Sequence, residues 1–64
     1  MNIIFRVRYM TAPSIPHVYC RVFAAVDGGT FAAMGSLTMR QAEFGRFQEL
    51  FQAEFIREET ELRV

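Results

Sequence analysis

The chain has no lysine and no tryptophan, and only one cysteine, one histidine and two prolines among its 64 residues. Each scarcity closes a route. A lone Cys20 excludes an internal disulfide, and with a lone His17 no metal cage built from protein ligands alone is expected. No apolar run nears the ~18 residues of a membrane span. The start, Met1-Asn2-Ile3-Ile4-Phe5-Arg6, has no basic n-region, and Arg6 and Arg8 interrupt its apolar stretch, so no signal peptide is expected. A free thiol suits a reducing compartment, and the chain reads as cytoplasmic.

Without lysine, every cation is an arginine, a side chain that forks onto carboxylates and phosphates and stacks on rings. Seven basic residues balance seven acidic ones. Residues 1–39 hold Arg6, Arg8 and Arg21 against Asp27; residues 40–64 hold four arginines against six glutamates. This even balance does not point to whole-chain affinity for nucleic acid or an anionic membrane. What is abundant is apolar: 52% of the chain, with seven phenylalanines. Sixty-four residues make a single domain of marginal stability, helped by an apolar core or by self-association.

Hydrophobic alternation places a strand at residues 3–10, with Ile3, Phe5, Val7 and Tyr9 on one face. Residues 11–16, with both prolines, read as a loop. A second strand spans 17–27, with Val18, Cys20, Val22, Ala24 and Val26 inward. Asp27-Gly28-Gly29-Thr30 signals a hairpin turning at Gly28-Gly29, with residues 30–37 as the third strand. That register pairs Val26 with Phe31, Ala24 with Ala33, Val22 with Gly35 and Cys20 with Leu37. Thr38 and Gln41 have the spacing of a capping box. Phe44, Phe47, Phe51 and Phe55 then form one stripe of a helix over residues 39–57. Thr60-Glu61-Leu62-Arg63-Val64 alternates weakly, as a short edge strand or a tail. The expected fold is α+β: a three-stranded antiparallel meander with one amphipathic helix on one face.

The helix leaves the other sheet face open. The simplest register for the first two strands sets Arg6 opposite Arg21, Arg8 beside Tyr19 and Ile4 beside Phe23, with Met34 across from Phe23. Arg6, Arg8, Tyr19, Arg21, Phe23 and Met34 thus form one candidate partner-binding surface, of the composition found at protein interfaces. Glu54, Glu58, Glu59 and Glu61 form a second, at a helix end where negative charge opposes the dipole. Those glutamates are also suited to pairing with the arginines of a second subunit. Catalytic constellations are missing: His17 and Cys20 are three apart on a strand and point to opposite faces. The stretch after Asp27 lacks the Lys-Ser/Thr of a phosphate loop. No cofactor is expected.

Aromatics beside arginine on a sheet are also how single-stranded RNA or DNA is stacked, which makes nucleic acid the competing partner. The strand-strand-strand-helix order matches part of a double-stranded-RNA-binding domain. Thr38-Met39-Arg40-Gln41-Ala42-Glu43, however, lacks that domain's basic run. The order is shared, too, with small antitoxins of the HicB type. In size and layout the whole chain resembles the compact inhibitors carried by bacteriophages and mobile elements, anti-CRISPR proteins among them. That resemblance implies a non-catalytic protein that occupies a surface on a larger nucleic-acid-binding complex, with the acidic cluster as a mimic of nucleic acid.

Overall fold

The computed structural model describes residues 1–58. Its elements are β1 (Ile3–Ala12), β2 (Ile15–Val26), β3 (Ala32–Arg40), α1 (Gln41–Leu50) and β4 (Glu54–Arg57). The fold is α+β, as expected. The four strands form one sheet in the order β3-β2-β1-β4. β1, β2 and β3 are an antiparallel meander, and β4 joins the free edge of β1 in parallel. The Cα atoms span 42 × 29 × 15 Å, the thickness of one sheet and one helix.

The first hairpin is tighter than the prolines suggest. β1 runs on to Ala12, β2 begins at Ile15, and Ala12 pairs with Ile15, leaving only Pro13-Ser14 to turn. Pro16 falls where the ladder is irregular, between the pairs Met10–Tyr19 and Ala12–Ile15, so its missing N–H breaks no regular pairing. Past that point the register is Tyr9 with Cys20, Val7 with Val22 and Phe5 with Ala24. This is two residues from the expected register. A slip of two preserves facing, so the inward residues are those the alternation named.

The second hairpin turns at Asp27-Gly28, one residue earlier than expected. Both take positive φ, 50° and 75°, and the Gly29 N–H donates to the Val26 carbonyl at 2.9 Å. That is the geometry of a primed two-residue turn, which an Asp-Gly pair accommodates well. Asp27 is further anchored by its Oδ1, which accepts the Asn2 N–H at 2.8 Å. The pairs Val22–Gly35 and Cys20–Leu37 hold, but Phe23 faces Ala33 and Ala24 faces Ala32, because Met34 is an extra residue in a bulge. One inserted residue inverts the facing of everything before it. Phe31, expected inward, therefore lies on the other side, where its ring sits under Arg6 at 3.9 Å.

The largest departure concerns the phenylalanines. α1 spans only Gln41–Leu50, not residues 39–57, so Phe44 and Phe47 are helical, Phe51 is the C-cap and Phe55 belongs to β4. Phe51 has already turned extended (φ −91°, ψ 120°), though its N–H still donates to the Phe47 carbonyl at 2.8 Å. Pairing with the open edge of β1 outweighs continued helix, whose later turns would have set Glu54 and Glu58 against the dipole. The capping box does not form: Thr38 is in β3 opposite Tyr19, Arg40 is the N-cap without a side-chain bond, and the Gln41 Nε2 donates to the Ile15 carbonyl at 3.3 Å. Residues 60–64 lie outside the described residues; the sheet's C-terminal edge strand is Glu54–Arg57.

All four phenylalanines still serve the core. Val7, Val18, Cys20 and Phe44 are buried, with Tyr9, Val22, Met39, Phe47, Phe51, Ala53 and Phe55 packed around them. The rings form a chain: Tyr9–Phe44 at 4.7 Å, Phe44–Phe55 at 6.0 Å edge-on, Phe47–Phe55 at 5.6 Å edge-on, Phe47–Phe51 stacked at 5.0 Å and Phe5–Phe51 at 5.2 Å. Such contacts add ~0.5–1.5 kcal/mol per pair beyond area burial. A ten-residue helix is only ~15 Å long. The ten- and twelve-residue strands beneath it extend roughly 33–40 Å, so the helix covers less than half their length.

Candidate functional site

The face opposite the helix is built by alternation. Arg6 and Arg8 point there from β1, and Tyr19, Arg21 and Phe23 from β2. The actual register sets Arg8, not Arg6, across from Arg21; Arg6 faces Phe23, Tyr19 faces Met10, and Ile4 faces Ala25. The correction follows from the tight Pro13-Ser14 turn, which moves β2 by two residues along β1. Met34 is 65% exposed but sits in the bulge rather than across from Phe23.

Two like charges directly opposite repel, and the structure supplies the counter-charge. β4 lies beside β1 with Glu54 next to Arg6, and the chain leaving it puts Glu58 near Arg8 and Arg21. The Arg6 guanidinium meets the Glu54 carboxylate at 2.9 Å through one terminal nitrogen and at 3.0 Å through Nε. Glu58 accepts a hydrogen bond from Arg21 and lies 3.9 Å from Arg8. Its position is fixed by its own backbone, whose N–H donates to the Tyr9 carbonyl at 2.8 Å. The glutamate–arginine pairing that the sequence suggested between two subunits is made by Glu54 and Glu58 within one chain. It merges what the sequence presented as two surfaces. Glu59 and Glu61 lie outside the described residues.

Rings flank the charges. Arg6 stacks on Phe31, and the Arg21 guanidinium lies 5.8 Å from the Phe23 centroid. Ala25, on this side by alternation, is only 3% exposed. Ile4 and Tyr19 stay exposed at 47% and 40%, on either side of the ion pairs. Beyond Tyr19 the first hairpin opens a shallow hollow of about 240 Å³ lined by Met10, Thr11, Ala12, Ile15, His17 and Tyr19. Phe31 is the residue of this face that sequence reasoning missed. The bulge that redirects it has no signature beyond the adjacent Gly35.

His17 is exposed and Cys20 buried, on opposite faces of β2. Burial raises the Cys20 thiol pKa above its ordinary value, the reverse of what a nucleophilic cysteine needs. Among the described residues no group of three or more His, Cys, Asp or Glu could hold a metal ion, and no helix is long and apolar enough to cross a membrane. No family model matches the chain, and neither a curated protein nor a solved structure gives a significant match.

Proposed function

We propose that the chain is a small non-catalytic protein-binding module that works by covering a surface on a larger complex. The face opposite the helix is its contact. The observation that carries this reading is the pairing of Arg6, Arg8 and Arg21 with Glu54 and Glu58 of the same chain. Counterion release from nucleic acid needs cations free to meet phosphates. These three already have carboxylate partners, which leaves one net positive charge among the five paired side chains. Ile4 and Tyr19 remain exposed around an ordered patch of arginine and aromatic side chains, the composition of protein interfaces. Its most specific form is a phage-type inhibitor of a bacterial defence complex such as CRISPR–Cas, acting by occlusion.

The test has two arms. Expression in a bacterium with an active CRISPR–Cas locus should restore transformation by a targeted plasmid, and Ile4→Ser with Tyr19→Ser should abolish that restoration while the protein stays folded. A labelled single-stranded oligonucleotide should not bind even at low salt. Steeply salt-dependent binding lost in Arg6→Ala with Arg21→Ala would replace this reading with RNA or single-stranded DNA binding. Unchanged transformation would remove the defence-inhibitor form.

A further inference from the structure

The two edges of the sheet are unlike each other. β4 is four residues long, with Glu54 and Arg57 at its ends. β3 is nine residues long and, among the described residues, has no strand on its outer side, and every residue in it but Met39 is exposed. From Ala32 to Met39 it contains neither a charge nor a proline, the usual devices that stop an edge from pairing. Its bulge, at Met34, lies near its start, and Gly35 to Arg40 is regular. Outward-pointing N–H and C=O groups along that stretch are a template for another strand.

Beside this edge α1 leaves a groove of about 410 Å³ lined by Met39, Glu43, Arg46, Phe47, Leu50 and Phe51. Leu50 in that lining is 75% exposed, and Leu37 on β3 is 46% exposed. Glu43 and Arg46, of opposite sign, have no ion-pair partner among the described residues.

We propose that β3 pairs antiparallel with β3 of a second copy of this chain, making one continuous eight-stranded sheet. A two-fold interface must be self-complementary, and the sequence of β3 is, about Leu37. With Leu37 on the axis, Leu37 meets its twin on the helix side. Ser36 faces Thr38, a hydroxyl pair of the kind that stabilises neighbouring strands. Met39 faces Gly35, and a Cβ built on Gly35 would have no atom within 4 Å, so the large side chain has room. Every pair in this register joins residues of the same facing, as an antiparallel ladder requires. One Glu43 and one Arg46 from each copy bring balanced charge to the rim. A chain of 64 residues without a disulfide also gains stability from such pairing.

Sedimentation velocity of the full chain should show a dimer that dissociates on dilution. Leu37→Lys, which opposes two like charges on the axis, should weaken the dimer by about tenfold or more, with the circular dichroism of the folded chain retained. Leu37→Cys should oxidise to a covalent dimer, because paired Cα atoms ~4.5–5.5 Å apart suit a disulfide. Tyr19→Cys on the opposite face should not, and the native thiol does not compete because Cys20 is buried. Should Leu37→Lys fail to fold, the cysteine comparison decides alone. A wild-type monomer at high concentration, a dimer that survives a folded Leu37→Lys, or crosslinking through Tyr19→Cys instead of Leu37→Cys would overturn the proposal. None of these outcomes depends on the identity of an external partner.

Discussion

On the helix side of the sheet, Val7, Val18 and Cys20 are closed off from water beneath Phe44. One residue away along the same strands, Arg6, Arg8 and Arg21 stand half in solvent against Glu54 and Glu58. The first face is held by burial, worth ~1.5–3 kcal/mol for each fully buried large side chain. The second is held by partly exposed ion pairs, each worth ~0–1 kcal/mol. The unequal energies indicate different work. The apolar face keeps the domain folded, while the charged face contributes little to its stability. β4 serves both: Phe55 enters the core beside Val7, and Glu54 pairs with Arg6 on the other side.

The comparison breaks most sharply at Phe44. Its ring touches Tyr9, Phe47 and Phe55, and it is the one buried residue of the helix. Phe44→Ala should cost roughly 3–5 kcal/mol, within the range for truncating a buried aromatic. A domain of this size has little more than that to lose. Urea unfolding monitored by circular dichroism should find the variant largely unfolded before denaturant is added. A loss below about 1 kcal/mol would mean that the helix is dispensable to the core.

The charged face should respond weakly and with a salt signature. Glu58→Gln leaves Arg8 and Arg21 facing each other without a carboxylate between them. The expected cost is about 0.5–1 kcal/mol at low ionic strength. It should shrink as salt is added, since screening weakens both the lost attraction and the exposed repulsion. A second substitution, Arg8→Ala, should recover part of the loss by removing the repulsion. A loss independent of salt would show that Glu58 acts through packing or through its backbone bond to Tyr9.

How much of this was legible in the sequence differs by face. Period-two alternation named the inward residues of β1 and β2, because side-chain facing survives a register error of two. It could not name Arg8 as the partner of Arg21, since that depends on how tightly the chain turns at Pro13-Ser14. The Phe44–Phe55 spacing fits a helix, and no local pattern records that β1 has an open edge waiting for a strand. One sign was present: four glutamates at a supposed helix C-terminus contradict the dipole. Local physics resisted that helix, and ending it at Leu50 moves Glu54 and Glu58 beside arginines they can neutralise. Phe31 was out of reach, because a single bulged residue at Met34 decides its side.

The smallest effect near neutral pH, and the cleanest marker of the buried face, is Cys20. Its thiol is fully shielded in the native chain, and desolvation raises its pKa above the ordinary 9.0. The folded state therefore keeps its proton at a pH where the unfolded chain has begun to lose it. Stability linked to this group is complete below the unfolded pKa and falls as pH rises from there through the folded value. Unfolding free energy should thus be insensitive to Cys20 at neutral pH and decline above about pH 9, and Cys20→Ala should flatten that decline. Alkylation at pH 8 should be slow in the native chain and fast in urea. Equal rates in the two would mean that the helix side opens as readily as the face crossed by ion pairs, and the contrast between the faces would then be one of composition alone.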